Sequence, residues 1–587
     1  MKWVKKLQDK LTGLTDAVTR FPLTTVFLLG AAMTNAYMIS TEQTETKFLL
    51  TFLIGAFLGT VSQAAFERFY SKFSHRLMLM AATILLTAGY YFIIQSVPTM
   101  GTEIQIRTVV ALFALLIAFI WVPTLNNSIS FNKNFMIAFK SFFHSLFFSG
   151  VIFAGIAIIL GAIDLLIVSL DYKSYPQAAN IVFILFAPLY FLSLIPNYLK
   201  AKQKNLQQMI DKAAHCPKFL EVLISYIVIP LISVFTLILV LYLIKNIGGD
   251  FWTDNLLEPM IVSYSIIIIL VYILASDIEN KFTSMFKMIF PKILVPIVVL
   301  QIIASTITLA ETGLTHTRYY VLLYGIFAVA SGGLMSFLPV RKNGIIAAML
   351  IIFSVISIVP PVDAFTISKN SQIKTVEKIP VKNGMLESNE LIPKESIPDA
   401  DKEKLTNAIH YLSMMNYTDG ISFLPKDFDP YKDFLTTFGF EEYKDQEKFD
   451  NVSFTLVQVK QPIPINITGY DFFIQMDISF TNGKENGQFE FETEGKKYML
   501  LKEVDSEKAE LKLINESNEE ILVFKTDEII DKFSAYKGEN FITVEEATFI
   551  KENEQAKMAM TIQNWDAQRE SSPPSIWAMT YVFIQIK

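Results

Sequence analysis

Few side chains in this 587-residue chain combine a reactive type with a setting that would use it. Asp164, in the stretch LGAIDLLIV, is an acidic residue inside a long apolar run. An ionisable group within a membrane helix is costly and marks a candidate site for a cation, a proton or an amine. It lies seven residues before Asp171, so helical rise puts it roughly 10 Å below the end of its run. The plainer reading is a carboxylate that reaches the interface or a neighbouring hydroxyl. A second group is the segment GGDFWTDN (248–255) with the hinge LAETGLTHTRYYVLLYG (309–325). Asp250, Trp252, Asp254, Glu311 and Arg318 would there form a polar rim at one end of the spans. Glu311 ends one helix and Arg318 opens the next, each at the wrong end of a helix dipole, so the two could neutralise one another across the turn. Gly313 could take a left-handed conformation and Thr315 or Thr317 could cap the following helix. The hinge therefore reads first as a tight turn. A third candidate is Tyr470 with Asp471, which follow Gly469 at the start of a strand and form either a turn or a binding edge.

These residues need elements to hold them. The chain is 52% hydrophobic, with 49 Phe, which places it among membrane proteins. Its net charge of −6 conceals a split. Residues 1–361 carry 25 Lys+Arg and 16 Asp+Glu, and residues 362–587 carry 25 and 40. The acidic rear half excludes nucleic acid as a partner. Cys216 is the sole cysteine, so no intrachain disulfide can form, and with His215 it supplies at most two metal ligands. No metal or cofactor is expected.

A span needs about 20 apolar residues. About eleven such runs lie between residues 21 and 361, and backbone groups in lipid must pair internally, so each is a helix. Alternate polar segments, starting from the N-terminus, hold 20 Lys+Arg against five in the others. The positive-inside rule then puts the N-terminus in the cytoplasm and residues 362–587 outside the cell membrane. Residues 1–20 read as an amphipathic helix on the membrane surface. Phe131, Phe135, Phe139 and Phe142, and Leu206, Met209, Ile210 and Ala213, suggest two more. Gly55 and Gly59, and Gly150, Ala154 and Gly161, form small-residue faces suited to close helix packing. Pro188, Pro230 and Pro296 fall inside spans and predict kinks.

Residues 362–404 read as a polar linker ending in a helix start, with Pro380, Pro393 and Pro398. From 405 a helix begins, and from 452 apolar residues recur with period two. The region 405–587 is therefore predicted as an α+β domain, mainly antiparallel, on a polytopic helical bundle. It contains no phosphate-binding loop, zinc-protease motif or nucleophile elbow.

RFPLT (20–24), GLTHTRYYVLLYG (313–325), DAFTISKNSQ (363–372) and INITGYDFFIQ (465–475) resemble an uncharacterised bacterial membrane family catalogued as domain-of-unknown-function forty-one fifty-three. The resemblance implies a multi-span bundle with a soluble region and carries no catalytic or binding residue. Three functional readings follow in order. The first is a non-enzymatic envelope protein that binds, senses or scaffolds, with the lipid bilayer and other membrane or envelope proteins as partners. The second is a transporter or exporter of a small cationic or amphipathic solute. The third is a membrane enzyme on lipid-linked or cell-wall substrates.

Overall fold

The computed structural model describes residues 13–587 except 98–99, 127–128, 199–203, 247, 250–256, 389, 426–427, 444–453, 461–463, 481–484, 505–508, 537 and 569–574. At 204–207, 209, 257, 310–312 and a few strand ends it describes the backbone alone. The chain divides into two compact units, one ending at Glu442 and one beginning at Tyr443.

The first unit is helical. After α1, over 13–20, come α2 (Pro22–Thr41), α3 (Thr46–Phe69), α4 (Phe73–Gln95), α5 (Thr102–Trp121), α6 (Phe131–Leu166) and α7 (Ser174–Ser193). The short α8 (Lys204–Ala214) is followed by α9 (Lys218–Asn246), α10 (Leu257–Leu274), α11 (Lys281–Thr312), α12 (His316–Phe337) and α13 (Gly344–Ile358). Ten of these, among the described residues, are long and apolar enough to cross a membrane, and α10 is a shorter apolar helix. The chain is a multi-pass membrane protein.

Local chemistry sets the helix ends and bends. Pro22 opens α2, where its missing N–H costs nothing. Pro188 and Pro230 each follow a π-helical turn, at 181–186 and 223–228. A proline ring collides with the carbonyl one turn earlier, and the wider turn makes room for it. Pro296 lies within the continuous helix α11. Gly55 and Gly59 admit α2 closely, since a Cβ on them would meet the Phe27 ring at 2.9 Å and the Thr24 hydroxyl at 2.7 Å. Gly150, by contrast, faces nothing within 4 Å.

The stretch with Phe131, Phe135, Phe139 and Phe142 is not a separate interfacial helix. It is the first third of α6, a single helix of 36 residues, about 54 Å by helical rise. Phe131 is buried in the bundle core, and Phe135 and Phe139 pack against that core. In the short α8, Ile210 and Ala214 are buried in the same core. The expected amphipathic helix over 1–20 falls largely outside the described residues.

The segment predicted as a linker is mostly folded. Asp363 caps α14 (Ala364–Lys382), its side chain accepting from the amides of Phe365 and Thr366. Further on lie α15 (Asp399–Met414) and α16 (Pro430–Phe438). Phe365, Val376, Leu405, Ile409, Leu412, Phe434 and Phe438 share one core, against which Ile106, Tyr319 and Tyr320 of the bundle also pack. Pro380 and the run of charges suggested a linker, but the buried apolar residues of α14 outweigh them.

The second unit is built of two sheets. Strands β1 (Phe454–Val459), β2 (Phe472–Phe480), β3 (Glu485–Thr493), β4 (Lys496–Val504), β5 (Ala509–Asn515) and β6 (Glu520–Lys525) precede the helix α17 (Asp527–Ser534). They are followed by β7 (Gly538–Ile542), β8 (Thr548–Glu552), β9 (Ala556–Gln568) and β10 (Ser575–Ile586). Strands β3 to β6 form an antiparallel meander. The other sheet runs β2-β10-β9-β1-β7, with β8 also pairing with β9, and only β1 and β7 pair in parallel. The run GQFEFETEGKKYMLL folds as the hairpin β3–β4, turning at Glu494 (φ 53) and Gly495 (φ 74). A bulge in β9 between Ile562 and Asn564 shifts its alternation. Met558, Met560 and Ile562 point into the core before it, and Trp565 and Ala567 after it.

Candidate functional site

The hinge 309–325 contains a turn that faces α14, the first helix after the bundle. Gly313 leaves α11 at φ +73 and ψ 171, a region that only glycine enters readily and not the left-handed helical well expected. Thr315 caps α12 by accepting from the Arg318 amide. The backbone between them faces α14, where Ser371 accepts from the Leu314 amide at 3.3 Å and Gln372 donates to the Leu314 carbonyl at 3.2 Å. The His316 ring stacks on Phe365 with centroids 5.4 Å apart.

A directed chain of hydrogen bonds starts at His316. Its amide donates to the Tyr411 hydroxyl at 3.2 Å, and its Nδ1 lies 3.1 Å from the same oxygen. Tyr411 donates to Ser368 at 2.9 Å, and Ser368 donates to the Ala364 carbonyl at 2.6 Å. The Tyr411 proton is thus committed to Ser368, so Nδ1 carries the imidazole proton and donates. Burial raises the Tyr411 pKa, keeping the phenol neutral. Tyr319 and Tyr320 donate to the carbonyls of Val362 and Ser357.

Beside this chain lies a buried ion pair. Arg107, on α5, meets Asp363 at 2.6 Å and Glu103 at 2.9 Å, and its guanidinium lies 5.4 Å from the Phe365 ring centre. Tyr417 donates to Glu103 at 2.5 Å, and burial and that carboxylate together push its pKa up. Asp363 is fully buried. Its Oδ2 and the Arg107 Nε have no hydrogen-bond partner among the described residues.

At the other end of the bundle, Arg20 and Glu67 form a bidentate pair, Nε to Oε1 and Nη2 to Oε2, both at 2.7 Å. Glu67 also accepts from Gln63 at 3.0 Å and from the Tyr198 amide at 3.3 Å. Arg20 also donates to the carbonyls of Ile195 at 2.6 Å and Pro196 at 2.9 Å. Arg76 joins through Gln63 and the Arg20 carbonyl. This node borders a cavity of about 650 Å³. Glu67 is not among the residues that stand out in the sequence, since it lies at the polar end of its apolar run, near the end of α3. The signal was the RFPLT motif, whose arginine needed an acid.

The predicted candidates fall in different places. Asp164 is exposed in the last turn of α6, nearer the helix end than expected, and Oδ1 accepts from the Leu170 amide at 2.6 Å. Asp250, Trp252 and Asp254 lie outside the described residues, as does the side chain of Glu311. Arg318 reaches the Thr308 carbonyl at 3.5 Å. Asp471 ties down the last strand, donating its amide to the Ile584 carbonyl at 2.8 Å and accepting from the Ile586 amide at 2.9 Å. Tyr470 packs on Phe583, with the Lys557 ammonium 5.0 Å from its ring centre. Among the described residues no group of three or more His, Cys, Asp or Glu side chains could hold a metal.

Comparison with known proteins agrees with this architecture. Residues 23–389, more than half of the chain, match the family model described as Domain of unknown function (DUF4153). No curated protein and no solved structure matches the chain. The match runs from α2 through α14, so it takes in the bundle, the hinge and the first helix after the bundle, and the chain belongs to the DUF4153 family.

Proposed function

We propose that this chain is a non-enzymatic envelope protein, a scaffold or sensor. Its N-terminus lies in the cytoplasm of a bacterial cell, its bundle anchors it, and residues 443–587 bind a component outside. The observation that carries this reading is the docking of α14 and α15 on the ends of α5 and α12. Arg107, His316, Tyr319 and Tyr320 tie the two layers together. An outer layer built into the helix ends can hold an attached domain in place or transmit a load on it to the spans. The 20-to-five distribution of Lys and Arg between alternate loops supports the orientation.

Two measurements test it. In a Cys216→Ser background, Ser517→Cys should react with a membrane-impermeant maleimide on intact cells and Lys342→Cys only after lysis. The reverse pattern would overturn the orientation. A photo-crosslinking residue at Trp577, 37% exposed on β10, should capture an envelope component in living cells. Capture of nothing, in cells where deletion of the chain has a phenotype, would remove the binding role.

A further inference from the structure

A cavity of about 1140 Å³ opens beside the end of α5, the segment after α10 and the starts of α6 and α13, with Asp211 of α8 in its lining. Its charged lining is Lys133, Asp211, Asp277, Arg341 and Lys342. Lys133 and Asp211 pair at 2.8 Å. Asp277 lies near the Lys287 ammonium, which itself donates to the carbonyls of Ser276 and Ile278. Arg341 and Lys342, on a single 3₁₀ turn, are exposed, and no hydrogen bond or ion pair holds either side chain among the described residues. The cavity therefore presents two uncommitted cations beside an indole, Trp121, that packs against Gly344.

An apolar track leads away from these cations. Ile345 and Ala348 line the cavity, and Ile352 and Val355 continue along the same face of α13 at spacings of three and four. All but Ala348 are substantially exposed: Ile345 43%, Ile352 55% and Val355 45%. From Ile345 to Val355 the track is about 15 Å long by helical rise, comparable with much of an extended acyl chain. Cations at a helix end, an interfacial tryptophan and an apolar track match the parts of one molecule, an anionic phospholipid.

We propose that this cavity is a binding site for the phosphate headgroup of an anionic phospholipid, held by Arg341 and Lys342, with an acyl chain along α13. A free phosphate shares the headgroup chemistry but would not use the track. The site depends on the chain being a multi-pass membrane protein and not on the scaffold or sensor reading.

The test uses the full-length protein in detergent. Lipid retention is read by native mass spectrometry from equimolar phosphatidylglycerol and phosphatidylcholine. Wild-type protein should retain phosphatidylglycerol preferentially. Arg341→Gln/Lys342→Gln should lose that preference by roughly tenfold, since each basic residue at an anionic headgroup favours it severalfold. A control, Lys72→Gln/Lys281→Gln, removes two exposed cations elsewhere and should keep it. Equal thermal midpoints of all three proteins in phosphatidylcholine show that the variants fold. Equal loss in both double variants would reduce the effect to net charge and overturn the site. Stabilisation by inorganic phosphate equal to that by phosphatidylglycerol would assign the cations to a free anion and overturn the lipid. Retention of phosphatidylglycerol unchanged in Arg341→Gln/Lys342→Gln would also overturn it.

Discussion

The two ends of the helical unit are each held by an arginine and a buried carboxylate, and the pairs are not equivalent. At one end Arg20 and Glu67 meet through two parallel hydrogen bonds, and both oxygens of Glu67 take a further donor. At the other, a single oxygen of Asp363 accepts from Arg107 and from two amides of α14, while Oδ2 has no partner among the described residues. Burying charge is offset only when geometry is good and the remaining lone pairs are satisfied. The first pair meets that condition and joins the helix before α2, α3 and the turn after α7 into one block. The second meets it in part. Its place is set by a different demand, because Asp363 must both cap α14 and fix that helix to the end of α5.

The contrast predicts unequal costs. Glu67→Ala strands the Arg20 guanidinium, 13% exposed, with two carbonyls and the Phe21 ring but no counter-ion. Breaking a buried pair in this way costs about 3–5 kcal/mol. The full-length protein should lose its cooperative thermal transition in detergent or show it at a much lower temperature. Loss should be uniform over α2, α3 and α7 in hydrogen exchange. A midpoint within two degrees or so of wild type would mean that the node is ornamental to the bundle.

Asp363→Ala should act more locally. Arg107 is 24% exposed and keeps Glu103 as a partner, so the stranded charge is better served than Arg20 would be. The loss combines a helix cap and one ion pair, about 2 kcal/mol. Hydrogen exchange should quicken in α14 and α15 while α2 and α3 stay protected. Uniform acceleration across the unit would contradict the division of labour between the two ends. Asp363→Asn should retain the cap and lose only part of the protection.

The contrast also explains what the sequence disclosed. Spans are legible because twenty apolar residues in a row have few alternatives. The strands after 452 are legible from their period of two. The buried pairs are not, because partnership is a property of tertiary distance. Glu67 and Arg20 are 47 residues apart, and Arg107 and Asp363 are 256 apart. Each lies near a helix end, where charge is unremarkable in sequence. Asp164 drew notice for the opposite reason, standing within an apolar run, although α6 ends two residues later at Leu166. The linker prediction failed because polar composition hid a buried face: Phe365, Ser368, Gln372, Val376 and Ile379 recur at helical spacing on α14. Two members of that face are polar, and both serve the hinge, Ser368 through Tyr411 and Gln372 through Leu314.

The smallest predicted effect lies farther along the same helix and separates capping from pairing by pH. Asp401, on α15, accepts from the Lys382 ammonium at 2.9 and 2.8 Å and from the Asn383 amide at 2.9 Å. These hydrogen bonds, Lys382 foremost, hold its carboxyl below the ordinary value of 3.8. The folded state thus binds this proton less readily than the unfolded state. The resulting stabilisation is complete above the ordinary value and is lost as pH falls through the lowered folded value. Lys382 is two-thirds exposed, so solvent screening limits the pair to about 1 kcal/mol. Asp401→Asn should therefore speed exchange in α15 modestly at neutral pH, and the gap from wild type should narrow as pH falls below 3.8 and close only beneath the lowered folded value. A gap that persisted there would mean that the side chain acts by packing, and that α14 and α15 are held together by their apolar face without help from charge.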